Sequence, residues 1–445
     1  MAVMDQILDL SELSDSDIPD AVLRLAYASF FDWLACGRAG IGEPVAIKLH
    51  AFADHEFGSG ASSLFGGGQA PARMAALVNG AISHALDFDD THFDHVGHLS
   101  VGIFPAALAV GEETGATARA VAESFLIGAE AAIRLGRILG TVHYNRGFHQ
   151  TATAGAFGAT LAAGRLYGLS RDQMRAALGL CSTRASGLKS QFGTMGKPYN
   201  AGLASSNGVE SALLAGLGMS SADDGLMGLQ GFVATHSDAP DMDAGWQTPP
   251  PQEFRFTRNS YKFHACCHGT HAMIEALLSA LQTHRIQPEE IARLRVGVNP
   301  RWLSVCDIKT PRTGLEVKFS YSWLAGMVFH GYATGNDRTY TDTLCTDTKL
   351  REFSGKVTVT GEPSLSDQQT QVSIELTSGE KIAVSQDLAD RMPIEALETR
   401  LLTKAQNLIG SGAEDLVALW NSFDSIDATT VGAFVQATQH QCQAT

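Results

Sequence analysis

A chain of 445 residues is long enough for two or three domains and for a sizeable hydrophobic core. Hydrophobic residues make up 44% of it and charged residues only 18%, a globular composition that excludes a largely disordered chain. The net charge of −15 disfavours binding to nucleic acid or anionic membranes, and it makes any cation beside an anionic substrate important.

The cysteines and the hydrophobic runs indicate where the protein works. The seven cysteines are scattered, with neither a CxxC pair nor a disulfide framework, which favours a reducing compartment. The N-terminus is acidic and lacks the layout of a signal peptide, and no run of ~20 apolar residues suggests a membrane span. We therefore expect a soluble, cytoplasmic protein.

Helical patterns dominate the first half of the chain. The first pattern covers residues 19–37, where Pro19 suits a first helical turn and Gly37 closes the helix. Many small residues lie within these patterns and would let helices approach closely. Further helices are predicted at 42–53, 71–86, 103–114, 117–140, 151–168, 170–187 and 208–217.

The pattern changes after a proline-rich connector at 238–255. Four short stretches from about residue 290 onwards predict strands, and the last two are joined as a hairpin at Ser378 and Gly379. Helices are predicted between them, at 316–333 and 346–353, and after them, at 394–410, 412–422 and 427–440. We expect a mostly α protein: a large discontinuous helical domain (1–265 and 394–445) interrupted by a smaller α+β domain (266–393).

The segment 81–102 carries the strongest chemical signal, because it crowds carboxylates and imidazoles at the end of an apolar helical pattern. Its acidic and histidine residues are Asp87, Asp89, Asp90, Asp94, His84, His92, His95 and His98. Such groups shift the pKa of one another, which favours proton chemistry. A divalent-metal site with mixed ligands or a solvated acidic surface would give the same composition.

Two further loops carry ionisable residues at helix ends. The segment 141–155 places His143, Tyr144, Arg146 and His149 just before a small-residue helix. In the segment 191–208, Gly193, Gly196 and Pro198 are expected to break the helix and hold Lys197 on a tight loop. One pocket at the helix ends could collect all three loops.

A histidine and cysteine cluster follows the connector. His264, Cys267, His268 and His271 have the spacing of one helical face. Nitrogen and sulfur at this spacing could bind zinc, and the alternative is a helix entrance with one buried imidazole.

Four blocks resemble, in order and spacing, the MmgE/PrpD family: HALDFDDTH, GFHQTATAGAFGA, GTMGKPYNAG followed by NGVESALLAGLG, and YKFHACCHGTH. Its members include 2-methylcitrate dehydratase, cis-aconitate decarboxylase and iminodisuccinate epimerase. The resemblance implies a discontinuous all-helical domain with a smaller α+β lid, and generally a homodimer. It also implies that neither a metal nor an organic cofactor is needed.

The family motifs imply functional residues at matching positions: Asp87 and Thr91 from DFDDT, His98 after the following loop, His149 from GFH, Lys197 from GTMxKP, and Lys262 ahead of the Cys/His block. The loop before His98 is one residue longer than in the decarboxylase, which makes His95 a rival. The segment FSYSW puts Trp323 where the decarboxylase has a tyrosine.

The reactions of the family share the breaking of a C–H bond, or a bond to CO₂, beside a carboxylate. They need a base, an acid, and cations where charge develops. We expect the catalytic residues to be Asp87, His98, Tyr144, His149 and Lys262, and the substrate-binding residues to be Thr91, Lys197 and Trp323. The imidazoles would shuttle protons near neutrality. Tyr144 would be an acid on the opposite face, or else a buried tyrosine with a satisfied hydroxyl.

Trp323 and the Tyr144–His149 cluster favour epimerisation of an iminodisuccinate-like substrate by an isomerase acting on a carboxylate α-carbon. The alternatives are a lyase like 2-methylcitrate dehydratase or cis-aconitate decarboxylase, and a catalytically inactive carboxylate-binding protein. Each hypothesis requires a small anionic carboxylate ligand, and none involves nucleic acid or a membrane.

Overall fold

The computed structural model describes residues 2–56 and 58–438, which divide into two compact units. The first unit runs to Tyr261 and resumes at Leu397, and the second is Lys262–Ala396. Helices of the N-terminal part are α1 (Val3–Ser11), α2 (Asp20–Gly40), α3 (Pro44–His55), α4 (Ala72–Ser83), α5 (Ser100–Thr114), α6 (Ala118–Arg146), α7 (Gln150–Leu166), α8 (Arg171–Ser182), α9 (Gly196–Gly216) and α10 (Phe232–His236). Two short strands, β1 (Ser62–Ser63) and β2 (Gln69–Ala70), pair antiparallel.

The second unit packs helices with a four-stranded sheet. Its helices are α11 (His271–Thr283), α12 (Gly314–Val317), α13 (Tyr321–Phe329) and α14 (Thr348–Ser354), and its strands are β3 (Ile291–Val298), β4 (Val357–Gly361), β5 (Gln369–Leu376) and β6 (Lys381–Asp387). The strand order is β4-β3-β5-β6, with β3 and β4 parallel and the other pairs antiparallel. The chain then continues through α15 (Ile394–Ile409), α16 (Gly412–Ser422) and α17 (Ala428–Gln436).

The fold class predicted from the sequence is confirmed: the protein is mostly helical, with a smaller α+β sheet domain. The β5–β6 hairpin turns at Ser378 and Gly379, where Gly379 has the positive φ of 88° that a tight hairpin favours. Among the described residues, no helix combines the length and apolar character that spanning a membrane requires.

Helix α5 lies at the centre of the first unit. Every residue from Ser100 to Glu112 is buried, so the helix is enclosed on all sides. Phe104 stacks on Phe125 with ring centroids 3.5 Å apart, and Phe30 stacks on Phe104 at 4.6 Å. This packing fixes the N-terminus of α5 and, with it, the histidine-rich loop that precedes the helix.

Glycines let the helices around the site approach closely. A Cβ atom on Gly202 of α9 would lie 2.2 Å from the carbonyl oxygen of Leu77 in α4, so the two backbones touch. Because α4 ends at Ser83 and α9 begins at Gly196, this contact holds the polar segments at both helix ends in fixed positions.

Several helix boundaries differ from the prediction: α2 continues past Gly37 to Gly40, and the pattern at 316–333 forms two helices, α12 and α13. Helix α6 does not end at Gly140: this glycine (φ 68°, ψ −177°) breaks the helix locally, and the following segment is helical to Arg146. Helix α9 begins at Gly196 instead of residue 208, so Lys197 lies in its first turn. Pro198 does not break the helix, because an N-terminal turn needs no hydrogen bond from its N–H groups.

The predicted helical face of His264, Cys267, His268 and His271 does not exist, because α11 begins only at His271. The rings turn to different partners: His264 contacts Thr334 at 2.8 Å and Glu275 at 3.0 Å, and His271 Nε2 lies 3.4 Å from the Cys266 carbonyl. The spacing that suggested zinc therefore belongs to a helix entrance.

Replacing Gly202 by alanine should destabilise the protein by about 1–3 kcal/mol, because the added methyl group must push α9 away from the Leu77 carbonyl. Gly155→Ala in α7 is the matched control: its methyl group would meet nothing closer than 3.9 Å, so stability should be unchanged or slightly higher. Denaturant unfolding measures both variants. Equal free energies of unfolding would contradict the proposed close contact.

Candidate active site

The loop between α4 and α5 folds into a compact turn that brings its ionisable groups together. Backbone hydrogen bonds between His92 and Gly97 close the loop, at 2.8 and 3.4 Å. Asp87 has a φ of 52°, the left-handed conformation that aspartate tolerates better than most residues. The loop therefore turns sharply at the first aspartate of its acidic run.

Asp89 is a fully buried carboxylate held between two imidazoles. His84 Nδ1 lies 2.8 Å from Asp89 Oδ1, and His98 Nδ1 lies 2.7 Å from Asp89 Oδ2. Burial alone would raise the pKa of Asp89, but the two imidazoles outweigh it and hold the pKa well below its usual value. An ionised carboxylate only accepts hydrogen bonds, so both histidines carry a hydrogen on Nδ1.

The cluster continues from His98 towards solvent. His98 Nε2 lies 3.5 Å from Asp87 Oδ1, and Lys197 Nζ lies 2.6 Å from Asp87 Oδ2. The Asp87 side chain is 39% exposed, whereas that of Asp89 is fully buried. His84, Asp89, His98, Asp87 and Lys197 thus form one relay from a buried end to an accessible one.

His149 lies beside this relay, immediately before α7. Its ring is 6.2 Å from that of His84, and Asn200 Nδ2 donates to its Nδ1 at 3.3 Å. Because the amide nitrogen can only donate, the neutral ring carries its hydrogen on Nε2. Burial, with repulsion from His84 and Lys197, places the pKa of His149 well below its usual value. The low pKa of His149 disfavours the expectation that this ring shuttles protons near neutrality.

The site lies near the N-terminal ends of helices. His98 lies two residues before α5, His149 directly precedes α7, and Lys197 is in the first turn of α9. The His98 backbone N–H donates to Thr151 Oγ1 at 2.9 Å, which ties the loop to α7. Helix N-termini carry partial positive charge and favour anions, so this corner of an acidic protein is suited to carboxylates.

The remaining histidines of the loop are structural. His95 is fully buried, and its Nδ1 donates to the Ala132 carbonyl at 3.1 Å. Burial lowers its pKa to about 3, and His92 adds to the effect. His92 donates from Nε2 to the Arg255 carbonyl at 2.9 Å, and burial lowers its pKa to about 4. These contacts favour His98 over its rival His95 as the functional histidine.

Four further residues were predicted for the site: Tyr144, Thr91, Lys262 and Trp323. The Tyr144 ring lies 3.6 Å from Lys189 Nζ, which also donates to the Tyr144 carbonyl. The Thr91 backbone pairs with Ser260 through two 2.8 Å hydrogen bonds. Lys262 and Trp323 are buried in the second unit. The functional roles of all four stay predictions.

Four side chains of the relay also satisfy the loose geometry of a metal site. The candidate ligand atoms of His84, Asp87, Asp89 and His98 lie within 4.8 Å of one another. However, both imidazole Nδ1 atoms lie at hydrogen-bond distance, 2.7–2.8 Å, from Asp89. Ligand atoms around one zinc ion stand farther apart, at about 3.3 Å. The arrangement therefore fits shared hydrogens better than a shared metal ion.

Sequence reasoning did not select His84, Asp89 or Asn200 as site residues, although the first two lie in the acidic segment. The signal was present in HALDFDD, where a histidine at a helix end precedes three aspartates that can fold back towards it. The family motif implied Asp87 and not Asp89, its buried neighbour two positions later.

Comparison with known proteins shows that this chain is similar to proteins named as cis-aconitate decarboxylases. One cis-aconitate decarboxylase, from Aspergillus terreus, is 35% identical over 213 residues, covering 46% of this chain and 44% of the relative. Cis-aconitate decarboxylase-like protein oryM from Aspergillus oryzae is 30% identical, covering 60% of this chain and 59% of the relative. The cis-aconitate decarboxylase of Mus musculus is 26% identical, covering 62% and 58%. The chain thus matches about half of the length of these relatives.

Family models cover more of the sequence. The model of the MmgE/PrpD N-terminal domain matches residues 10–245, and that of the MmgE/PrpD C-terminal domain matches residues 264–408. The first match contains the whole relay, from His84 to Lys197, and His149 beside it. The chain belongs to the MmgE/PrpD family.

Proposed function

We propose that this protein is a lyase that breaks a bond beside a carboxylate of a small tricarboxylate of the aconitate class, releasing CO₂. The single observation that carries the proposal is the imidazole–carboxylate relay that ends at Lys197. The relatives named as cis-aconitate decarboxylases support it. They favour the lyase alternative over the iminodisuccinate epimerase predicted from the sequence.

The chemistry of decarboxylation defines what the site must supply. When the bond to CO₂ breaks, its electron pair stays on the substrate and spreads towards a neighbouring carboxylate. A proton must then add to carbon, so each turnover consumes one proton and yields CO₂ and a dicarboxylate. A proton donor and a cationic environment for the remaining carboxylates are therefore required.

The relay can supply the proton. Asp89 fixes both histidines with Nδ1–H pointing towards it, which leaves the Nε2 atoms to exchange protons. His98 Nε2 faces Asp87 at 3.5 Å, while His84 Nε2 is buried without a hydrogen-bond partner among the described residues. We assign His98 and Asp87 to proton delivery, and His84 to the buried end of the relay.

Carboxylate binding falls to the other groups. Lys197 supplies a full positive charge, and the N-termini of α5, α7 and α9 supply partial charges. His149 adds a neutral Nε2–H donor.

The substrate class is tested by incubating the purified protein with di- and tricarboxylates in D₂O. We expect CO₂ release from an aconitate-class tricarboxylate, with one deuterium on carbon in each dicarboxylate product. Deuterium in a recovered stereoisomer would instead support epimerisation, and water loss from a citrate-class substrate would support dehydration. Binding without turnover would support the inactive binding protein. Activity lost on chelation and restored by added metal would contradict the metal-free mechanism.

Lys197→Met should raise KM for the tricarboxylate and lower kcat/KM by on the order of 10²-fold or more, because a charge-assisted contact to a carboxylate is removed. Lys48→Met removes the same charge from an exposed position on α3 and is the control. Steady-state kinetics measures both variants. Equal effects would mean that general surface charge, and not Lys197, attracts the substrate.

Asp89→Asn should reduce kcat roughly 10²–10⁴-fold, because an amide cannot hold both imidazoles in the Nδ1–H form. The variant should still bind the substrate, since Asp89 lies behind the histidines and not beside the cations. Comparing kcat with the ligand Kd separates the two effects. A normal kcat would remove Asp89 from the mechanism.

The same variant should change the stability of the protein in acid. The folded pKa of Asp89 lies below its unfolded value, so its stabilisation is present above about pH 4 and is lost as the pH falls further. The Tm of Asp89→Asn should therefore decrease less than the wild-type Tm between about pH 5 and pH 3. Asp20→Asn, at an exposed helix start, should retain the wild-type slope. Identical slopes for all three proteins would contradict the ionised, buried Asp89.

A further inference from the structure

A buried lysine from the C-terminal part of the chain lies beneath the acidic loop. Lys404 of α15 is 3% exposed, and its Nζ forms an ion pair with Asp32 Oδ1 of α2 at 2.6 Å. The same Nζ donates to the Phe88 carbonyl oxygen at 2.6 Å and lies 4.4 Å from the centre of the Phe88 ring. One ammonium group therefore contacts both the carbonyl and the ring of Phe88.

Phe88 stands between the two carboxylates of the relay. Asp87 precedes it in the left-handed conformation, and Asp89 follows it with both oxygens bonded to histidines. The left-handed turn costs of order 1 kcal/mol or more, and it persists only where the surrounding structure holds it. Lys404, which lies outside the loop, donates a hydrogen bond to the Phe88 carbonyl within this turn.

We propose that Lys404 is a positioning residue that holds the Asp87–Phe88–Asp89 turn in the conformation the relay requires. The inference rests on the proposed function for its catalytic consequence, but the geometry it asserts can be measured without turnover. Lys404 touches no reacting group itself. It acts through the Phe88 peptide, which sets the directions of the carboxylates on either side.

Electrostatics supports the same role. Asp32 and Asp89 are both buried in this region, and two buried carboxylates need a nearby cation. Burial would lower the pKa of Lys404, but the attraction of Asp32 outweighs it and raises the pKa, so the ammonium stays charged. Neither imidazoles nor serine hydroxyls in the loop supply a permanent charge of this kind.

The competing explanation is an ordinary buried ion pair that contributes only to stability. Removing Lys404 alone would leave Asp32 uncompensated and could unfold the protein. The double variant Asp32→Asn/Lys404→Met removes both charges, a change that is often neutral for stability. The double variant also removes the hydrogen bond to the Phe88 carbonyl, so it separates the two explanations.

The chain offers a matched control. Arg38 of α2 is also buried, donates to the Phe434 carbonyl at 2.9 Å, and lies 4.7 Å from the centre of the Phe434 ring. It thus makes the same pair of contacts with a phenylalanine in α17. Arg38→Met should lower stability without changing the relay or kcat.

The first measurement needs no substrate. In protein labelled with [¹⁵N]histidine, the Nδ1–H resonances of His84 and His98 report their hydrogen bonds to Asp89. We expect these resonances to shift in Lys404→Arg and in the double variant, and to stay unchanged in Arg38→Met. Lys404→Arg keeps the charge, but its planar guanidinium cannot reproduce the compact ammonium contact. Folded variants with wild-type resonances would overturn the proposal.

The second measurement is kinetic. The double variant should keep a Tm near that of the wild type and KM within about threefold, while kcat falls by on the order of 10²-fold, as expected for misplaced catalytic groups. A wild-type kcat in the double variant would mean that Lys404 contributes to stability and does not position the relay. If the wild-type protein turns over no carboxylate, the proposed function fails, and the histidine resonances alone decide the role of Lys404.

Discussion

The relay depends on keeping one carboxylate ionised in the interior. An isolated buried carboxylate would be several kilocalories per mole less stable than in water, and it would take up a proton. Asp89 stays ionised because His84 and His98 each donate a hydrogen bond to a different oxygen. This pairing fixes the tautomers of two histidines at once, so the loss of one charge would change three groups.

Rigid helix packing makes this pairing possible. The loop that carries the cluster is anchored by α4, whose backbone touches that of α9 at Gly202, and by the enclosed helix α5. Hydrogen bonds to Thr151 and to Lys404 tie the same loop to α7 and to α15. Helices from both ends of the chain therefore fix a short polar loop to within the small tolerance that hydrogen-bond networks require.

Much of the fold could be predicted from periodicity, because long amphipathic helices and a hairpin leave local signals. Local signals were misleading where tertiary context decided: the helix resumes after Gly140, and Pro198 sits in the first turn of α9. Among the site residues, Asp87 and Lys197 were predicted from motifs and lie together. The contact of Lys404 with Phe88 could not be predicted, because it joins residues 316 positions apart and no pattern records it.

The two ends of the relay differ in solvent exposure, and this difference favours one reaction over the other. Epimerisation returns every proton it removes, so a closed pair of groups on opposite faces is sufficient. Decarboxylation consumes a proton in each turnover and needs a path for its replacement from water. The relay has such a direction: Asp89 is sealed from solvent, while Asp87 is 39% exposed and holds Lys197. The 3.5 Å between Asp87 Oδ1 and His98 Nε2 would be the last step of such a path.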